Sequence, residues 1–430
     1  MQSLLFLRIA TLCFGVAIPS LLFADPPSVD DDRLRPEPLA EDILQRNPGL
    51  TALDAAVREA TARQEGAGRL DDPELAWDTA PGLYTGDAGR AHNIRFSQRI
   101  PWPGTLERRY RQSGYRADER RHRLDAARLD IRALALTAWA EWAFVHEALA
   151  VTTEHQQTLA DLREVVEARY AAGTALQQDV LRVEQENSRV EHERVRYQRQ
   201  KRAVQARINA LLDRGGDAPL PPPSDMPALS PPPLAPESPA SVIRQHPVLE
   251  QFTARISRAE TGVELARLQG MPSLQMRTGY NSLWQMPEQR WTVGITLSVP
   301  LDRHRQRARE DEAEARRIRN RMEFDEARRQ LEQDLVATRA AVEEGWHVIR
   351  LYEDRLLPLA RDTFSAARTD YRSGREGFLN VMEAERERLR AEIQLVRAKA
   401  DYLGHLAVLD RLASADPTTG STATGGENNE

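Results

Sequence analysis

The sequence predicts a mainly α-helical chain that also contributes strands to a membrane β-barrel. Three features indicate this fold class: long charged helical stretches, four short alternating strands, and an internal duplication of the whole set. Of the 430 residues, 29% are charged and 6% are aromatic, which is typical of solvent-exposed helices rather than of a thick core. Acidic and basic residues are interspersed and the net charge is -6, so nucleic-acid binding is not expected.

Residues 1–24 are predicted to be a secretory signal peptide. An apolar run from Ile9 to Phe23 ends next to the small residue Ala24, after which cleavage is expected. The run contains Pro19 and is too short for a stable membrane-spanning helix. A retained membrane anchor is the alternative interpretation.

The single cysteine, Cys13, lies inside this apolar run. Lipoprotein processing requires a small residue before the cysteine, whereas Leu12 stands there, so lipidation is not expected. The mature chain would then contain no cysteine, which leaves neither disulfides nor thiolate chemistry.

The chain is predicted to contain two copies of one unit. Three prolines recur at a constant spacing, because 247 − 48, 272 − 73 and 300 − 101 all equal 199. Further on, the glycine-containing segments Arg169–Gly173 and Asp370–Gly374 match at a spacing of 201. A near-constant spacing over this length indicates an internal repeat. We therefore assign a first repeat to residues 25–212 and a second repeat to residues 240–413.

A proline-rich segment, residues 213–239, is expected to link the two repeats. It contains the sequence PLPPPSDMPALSPPPLAPESP, which is typical of an extended polyproline conformation without regular hydrogen bonds. The tail, residues 414–430, is rich in Gly, Thr, Asn and Glu and is predicted to be disordered.

Each repeat is predicted to contain a helix, two short strands, a very long helix, a glycine turn and a second long helix. In the first repeat the helices cover about Pro38–Arg69, Thr105–Tyr170 and Ala175–Leu212. In the second they cover about Ala240–Leu268, Arg303–Tyr371 and Glu376–Leu412, with a kink at Pro358. At 1.5 Å per residue the longest helices are rods of roughly 100 Å, which must pack along other rods.

The last helix of each repeat carries a heptad pattern typical of coiled-coil packing. In the first repeat the pattern comprises Val183, Val190, Tyr197, Val204 and Leu211. In the second it comprises Met382, Leu389, Val396 and Leu403. Because the helices alone would also fit a soluble coiled-coil protein, the strands decide the fold class.

The four predicted strands are about Glu74–Ala80, Asn93–Ile100, Ser273–Asn281 and Trp291–Val299. Alternation in the last, RWTVGITLSVP, places apolar side chains on one face and threonine, serine and glycine on the other. Lipid contact is predicted for the apolar residues Leu274, Met276, Tyr280, Trp291, Val293, Ile295, Leu297 and Val299. The polar faces carry arginines, as the wall of a water-filled lumen permits.

Four strands cannot close a barrel around a lumen, and open strand edges are not stable in lipid. The chain is therefore expected to oligomerise, and three copies would supply twelve strands, enough for an open channel. The alternative is a soluble α+β protein whose strands pack on helices, which leaves the polar strand faces unexplained.

The ordered set of these features resembles the TolC-like outer-membrane efflux channels. The resemblance covers about Pro38 to Leu412 and is carried by the hairpin tips ARYAAGTALQQDVL and TDYRSGREGFLNVM and by the junction SQRIPWPGTLERR. It implies a homotrimer with a twelve-stranded β-barrel in the outer membrane and a long α-helical barrel in the periplasm. It also implies that the tips, marked by Gly173, Thr174, Gly374 and Arg375, meet a periplasmic adaptor and an inner-membrane pump of the RND type.

The same resemblance suggests residues at the periplasmic entrance of the channel. Asn380 and Glu383 match positions where relatives carry acidic residues, and Asp179 matches a further gate position. Tyr371 matches a tyrosine that helps to hold the entrance closed, and Tyr170 is its counterpart in the first tip.

Two entrance positions depart from the family pattern. Glu376 stands where the relatives carry a basic residue, and Asn380 replaces an acid. One carboxylate per protomer, repeated by threefold symmetry, would make a negative constriction that favours cations. The alternative is that Asp179 and Glu383 are ordinary solvated helix residues and that the two tyrosines serve hairpin packing.

The junction SQRIPWPGTLERR also resembles relatives from heavy-metal efflux systems of the cobalt-zinc-cadmium or copper-silver kind. No metal site supports this, because the histidines show neither i,i+4 pairs nor HxH spacing and the methionines are scattered. A passive conduit needs no tight site, so export of heavy-metal cations stays the expectation. A conduit of the same fold for drugs or type I secretion is the nearest alternative.

Two other classes of function fit the sequence less well. A soluble periplasmic coiled-coil adaptor would explain the hairpins but not the four barrel-type strands. An enzyme is not expected, since the sequence shows no Ser/His/Asp or Cys/His grouping, no phosphate-binding glycine loop and no zinc spacing. No cofactor is implied.

Overall fold

The computed structural model describes residues 33–80, 91–232, 238–282 and 286–414. The predicted signal peptide, Cys13 and the predicted tail beyond Ser414 lie outside these ranges. Within them no helix is both long enough and apolar enough to cross a bilayer.

The two halves of the chain carry the same order of elements. The first half contains α1 (Pro36–Arg46), α2 (Pro48–Ala67), β1 (Glu74–Ala80), β2 (Ala91–Ile100), α3 (Thr105–Ala171) and α4 (Gln177–Leu211). The second contains α5 (Pro239–Val242), α6 (Pro247–Leu268), β3 (Ser273–Asn281), β4 (Trp291–Ser298), α7 (Arg303–Leu351), α8 (Leu357–Arg372) and α9 (Phe378–Ala413).

Each repeat is predicted to begin with one continuous helix, and this prediction is wrong. The predicted helix Pro38–Arg69 is two helices that meet at Asn47, and the predicted helix Ala240–Leu268 is interrupted by a 3-10 turn that ends before His246. Both break residues precede a proline and have extended backbone angles, with ψ of 120° and 132°. The cause is steric, because the proline ring disfavours helical geometry in the residue before it.

The long helix of the second repeat is interrupted near Pro358, where a kink is predicted. One turn of π-helix, Tyr352–Leu356, separates α7 from α8 and ends two residues before this proline. Proline has no backbone N–H and its ring clashes with the carbonyl four residues earlier, so the preceding turn widens. The corresponding helix of the first repeat, α3, runs unbroken for 67 residues.

The helices form a layer in which α3 is the longest member. Near the glycine turns the order across the layer is α4, α3, α9 and then α7 with α8. Near the sheet the order is α2, α3, α6 and α7. Within the described ranges, the side of the layer formed by α4 and the side formed by α7 and α8 therefore have no further helix beside them.

Two junctions join shorter helices end to end beside α3. At the first, the Asn47 side chain accepts hydrogen bonds from Gly49 N–H (3.0 Å) and Leu50 N–H (3.3 Å) and donates one to Leu211 O (3.2 Å). One side chain thus caps the start of α2 and the end of α4, where backbone groups lack helical partners.

His246 does the same at the second junction. Its Nδ1 accepts from Val248 N–H (3.3 Å), which leaves Nε2–H to donate to Arg411 O (3.2 Å) near the end of α9. Burial lowers the pKa of this imidazole, which favours the neutral form that the two contacts require.

The proline-rich segment is docked on the helices rather than free. Residues 213–232 of this segment form no helix and pair with the chain through one bridge, Leu34 to Pro223, while its last residue, Pro239, begins α5. Trp142 Nε1–H donates to Pro221 O at 3.0 Å, and Tyr402 O–H donates to Ser230 O at 2.7 Å. Large aromatic side chains of both repeats therefore fasten this segment to the layer.

The four strands form one antiparallel sheet in the order β1-β2-β3-β4. The predicted bounds of β1 and β3 are confirmed, β2 begins two residues earlier than predicted, and β4 ends one residue earlier. In the part of the chain that the structure describes, β1 and β4 are the edge strands, and each has one row of backbone groups without a partner strand.

Candidate functional site

One face of the sheet is apolar across all four strands. Side chains of directly paired residues point to the same face, so the register carries the alternation from strand to strand. The pairs Met276–Ile295 and Leu274–Leu297 join β3 to β4, and Ile100–Leu274 joins β2 to β3. The apolar members of this face are Leu75, Trp77, Ile94, Phe96, Ile100, Leu274, Met276, Tyr280, Trp291, Val293, Ile295 and Leu297.

This apolar face is open rather than packed on the helices. Val293 and Ile295 are 76% and 75% exposed, and Met276 is 49% exposed. Tyr280 is half-buried because its ring packs on Trp291, with 5.3 Å between centroids. Val299, the remaining predicted member, lies just past β4 and is also exposed. A contiguous exposed apolar surface of this kind marks a contact with lipid or with another protein.

The opposite face of the sheet is polar and charged. It carries Glu74, Asp78, Arg95, Ser97, Arg99, Gln275, Arg277, Thr292 and Thr296. Arg95 pairs with Asp78 across β1 and β2 at 2.6 Å, and Ser97 O–H donates to Glu74 at 3.2 Å. The division into an apolar and a hydrated face is the one predicted from sequence.

The two hairpin tips have the same geometry at the other end of the molecule. Gly173 and Gly374 have φ of 73° and 74°, a left-handed conformation that other residues rarely adopt. The next N–H closes each turn, from Thr174 to Arg169 O at 2.8 Å and from Arg375 to Asp370 O at 2.9 Å. These glycine-centred turns end α3 and α8 and return the chain into α4 and α9.

Asp179 is a buried helix cap and not the solvated residue of the alternative interpretation. It is 8% exposed, and its carboxylate lies 3.4 Å from Leu176 N at the start of α4. Arg182, one turn along, approaches the same carboxylate at 3.7 Å. A carboxylate here stabilises the helix start, where backbone N–H groups lack partners.

The other predicted entrance residues with acidic or amide side chains, all on the second hairpin, lie on the surface. Glu376, Asn380 and Glu383 are all exposed, and the Asn380 side chain donates to the Glu376 carboxylate within the same hairpin. Glu383 remains an exposed carboxylate on α9, two turns from the tip.

The two tip tyrosines, at matched positions, have different surroundings. Tyr170 is 48% exposed, whereas Tyr371 is 4% exposed and packs on Phe378 with 5.2 Å between ring centroids. The hydroxyl of Tyr371 has no hydrogen-bond partner among the described residues. Burial raises the pKa of Tyr371, and the nearby Arg169 opposes that rise.

Arg169 is a tip residue that the sequence reasoning did not single out. Its guanidinium carbon lies 4.6 Å from the centre of the Tyr371 ring, and the group also donates to Tyr371 O. The sequence signal for Arg169 is its position directly before Tyr170 in the tip motif. This signal is weak, because arginines are frequent throughout the chain.

A buried ionic cluster farther from the tip was also missed. His155 of α3 and Glu385 of α9 are 1% and 0% exposed, and 2.7 Å separates Nδ1 from Oε1. Arg388 binds the same carboxylate at 2.8 Å, and lies 3.6 Å from Glu392. Burial acts to raise the pKa of Glu385, but the neighbouring His155 and Arg388 outweigh it and the net direction is downward.

A second ion pair ties the two repeats together near this cluster. Arg386 of α9 binds Glu186 of α4 with Nε at 2.8 Å, and Glu186 is 5% exposed. Among the described residues no group of three or more His, Cys, Asp and Glu side chains is arranged to hold a metal ion.

Known proteins share sequence and structural features with this chain. The sequence profile of the family described as Outer membrane efflux protein matches residues 239–415, the second repeat. The outer-membrane channel OprN is 18% identical over 88% of this chain and 89% of its own, with a TM-score of 0.78. The fold is that of the outer-membrane efflux channels. No curated protein sequence matches the chain.

Two further solved structures share this efflux-channel fold. CusC, studied for conformational changes during folding and transmembrane channel formation, is 15% identical over 88% of this chain and 92% of its own, with a TM-score of 0.77. The open state of MtrE from Neisseria gonorrhoeae is 17% identical over 88% of both chains, with a TM-score of 0.75. At these identities the likeness concerns the fold.

Proposed function

We propose that this protein is the outer-membrane channel of a tripartite efflux system and acts as a passive conduit across the periplasm and outer membrane. The observation that most directly supports this proposal is the two-faced sheet, whose apolar side is exposed and whose polar side is charged. On a fold shared with outer-membrane channels, the apolar side contacts lipid and the polar side lines the lumen. A strand of nine residues, the length of β3, would rise roughly 23 Å when tilted by about 40°, which is the height of an outer-membrane apolar band.

Three copies form the channel in this proposal. Among the described residues, β1 and β4 each have one edge without a partner strand, and each side of the helical layer lacks a further helix. Pairing β1 of one copy with β4 of the next satisfies the edges, which lipid would otherwise leave without hydrogen bonds. A head-to-tail contact repeated with threefold rotation closes a ring of twelve strands above a ring of long helices.

The hairpin tips are the docking end for a periplasmic adaptor and an inner-membrane pump of the RND type. Gly173, Thr174, Gly374 and Arg375 are all exposed at the far end of the rods from the sheet. Leu176, beside the first tip, is 61% exposed and offers an apolar contact for such a partner.

Heavy-metal cations are the cargo that we propose. The exposed Glu383 carboxylate, repeated three times, would give a negative entrance that favours cations. Drugs or secreted polypeptides are the alternative cargo for the same fold. A soluble periplasmic adaptor is less consistent with the structure, because it would leave the apolar sheet face in water.

Deletion of the gene tests both the function and its cargo. We expect hypersensitivity to one or more of zinc, cobalt, cadmium, copper and silver, reversed by the intact gene but not by the empty vector. Hypersensitivity confined to organic antimicrobials would overturn the metal cargo and keep the channel. Retention of full resistance to both groups, with the protein absent from outer membranes of the parent strain, would contradict the proposed function.

A further inference from the structure

The polar face of the sheet carries an arginine in its middle whose charge is not balanced. Arg277 of β3 is exposed and lies directly opposite Ser97 of β2 and Gly294 of β4. Its Nη2 donates to the neutral amide oxygen of Gln275 at 2.9 Å, and no carboxylate of the described residues pairs with it.

The neighbours of Arg277 on this face include no carboxylate. Residues opposite it, diagonal to it and two positions along its own strand are within reach of a long side chain. These neighbours are Ser97, Gly294, Arg95, Arg99, Thr292, Thr296, Gln275 and Gly279. Arg95 is neutralised by Asp78, whereas Arg99 has no ion-pair partner among the described residues. The surroundings of Arg277 are therefore neutral or positive.

The carboxylates of this face lie on β1, two strands away from Arg277. Glu74 accepts from the Ser97 hydroxyl at 3.2 Å, and Asp78 pairs with Arg95 at 2.6 Å. Two strand spacings amount to roughly 10 Å, about one Debye length at physiological ionic strength. Since both carboxylates are engaged and distant, neither offsets much of the charge of Arg277.

Gly294 leaves open space beside this guanidinium. A Cβ atom added at Gly294 would have no other atom within 4 Å. The residues of β4 on either side of Gly294 along this face, Thr292 and Thr296, are uncharged. A solute can therefore approach Arg277 from the side of β4. The forked N–H donors of a guanidinium fit the paired oxygens of carboxylate, phosphate or sulfonate groups.

We propose that Arg277, with Arg99 beside it, makes the lumen of the barrel favour anions. This inference rests on the proposed function, in which the polar face lines the lumen and three copies repeat each residue. Rings of arginine or lysine line pores that conduct anions. The barrel is then opposite in charge to the entrance at the hairpin tips, and a metal ion passes it most readily as an anionic complex.

The dimensions of such a barrel make the charge effective across the lumen. Twelve strands about 4.8 Å apart and tilted by about 40° give a backbone radius of roughly 12 Å. An arginine side chain extends inward from that wall, so its guanidinium lies within about 8 Å of the axis, one Debye length at physiological ionic strength. Screening therefore leaves no neutral path along the centre.

Modification of a thiol by an anionic and a cationic reagent tests the charge of this zone. Gly294→Cys places the thiol directly opposite Arg277, and the reagents are sulfonatoethyl and trimethylammonioethyl methanethiosulfonate. Relative to a small thiol in solution, the ratio of rates should favour the anionic reagent by about threefold, as expected for three screened charges. Arg277→Gln in the same protein should remove this preference, and Arg277→Lys, which keeps the charge, should retain it.

The reversal potential of the purified trimer in a potassium chloride gradient tests the effect on passage. Gly294→Asp adds a carboxylate opposite Arg277 without removing the arginine, so the ratio of potassium to chloride permeability should rise by about threefold. Gly294→Asn has a similar shape and no charge, and should match wild type. The double variant Asp78→Asn with Arg95→Gln removes a neutral pair from the same face and should also match wild type.

The two measurements separate failure of this inference from failure of the proposed function. Equal normalised rates for the two reagents would overturn the anion-favouring zone and would indicate that a neighbouring copy supplies a carboxylate to Arg277. A conducting trimer whose permeability ratio is the same with Gly294→Asp and Gly294→Asn would overturn the role in selectivity. A trimer that never conducts would contradict the proposed channel, and the reagent rates would still decide the charge of the zone.

Discussion

The two repeats share an order of elements but occupy different places in the helical layer, and this difference decides what each one buries. The last helix of the first repeat, α4, lies at one side of the layer, whereas its counterpart α9 lies between α3 and the pair α7 and α8. At positions matched by the tip spacing, Glu184 has a side chain 55% exposed and Glu385 is fully buried. The same residue type is thus solvated in one copy and part of an ionic cluster in the other.

The helix junctions differ between the repeats in chemistry rather than in geometry. Asn47 and His246 each cap one helix and receive the end of another. An amide cannot titrate, whereas a protonated imidazole has no acceptor left for Val248 N–H. The second junction is therefore sensitive to pH and the first is not.

The largest expected contrast concerns the matched glutamates. Glu385→Ala removes the partner of buried His155 and Arg388, and breaking a buried ion pair in this way costs about 3–5 kcal/mol. Glu184→Ala removes an exposed carboxylate 3.3 Å from Arg163 and should cost at most about 1 kcal/mol. The measurement is the midpoint of thermal loss of helical circular dichroism, at neutral pH in detergent. Equal shifts for the two variants would mean that α4 and α9 are not differently buried.

A smaller contrast concerns the two junctions and appears on acidification. Burial lowers the pKa of His246 below its ordinary value of 6.5, so the unfolded chain binds more protons than the folded one between the folded-state pKa and about pH 6.5. The stability contributed by neutral His246 is complete above pH 6.5 and declines as pH falls toward the folded-state pKa. His246→Asn should remove this part of the pH dependence, and Asn47→His should add a similar dependence. Each change in the free energy of unfolding should be about 0.5–2 kcal/mol, the contribution of one helix cap.

The groups around His246 allow this contrast to be isolated. The Arg411 side chain, which pairs with Asp130 of α3 at 2.9 Å, faces the imidazole from α9, and both charges stay in every variant. His146, whose pKa burial lowers to about 4, also titrates but contributes equally to wild type and His246→Asn. Parallel stability curves for these two proteins between pH 7 and pH 5 would exclude the titrating junction.

The strands and rods could be predicted from sequence because their signals are local. Period-two alternation defined β1 and β3 to the residue, and the heptad of α4 identified Val183, Val190, Tyr197 and Val204, all buried. The pattern held less well in α9, where Val396 and Leu403 are only partly buried. This helix is enclosed on several sides and buries a wider face than a heptad seam.

The missed features depend on which helices become neighbours. Nothing local distinguishes Arg169 or Glu385 from the many exposed charges of a chain that is 29% charged. Their surroundings arise from the packing of α3 against the second hairpin, which joins residues about two hundred positions apart. The breaks at Asn47 and His246, by contrast, had a local signal in the prolines that follow them.

The central claim is that the sheet presents one face to lipid and the other to a lumen shared by three chains. Introducing arginine at adjacent positions of β4 tests it most directly, with the yield of heat-stable trimer in outer membranes as the measurement. Ile295→Arg should cost about 2–4 kcal/mol and sharply reduce the trimer, because it places a charge in the apolar band. Thr296→Arg, on the polar face, should leave the yield close to wild type. Equal tolerance of the two substitutions would contradict the account.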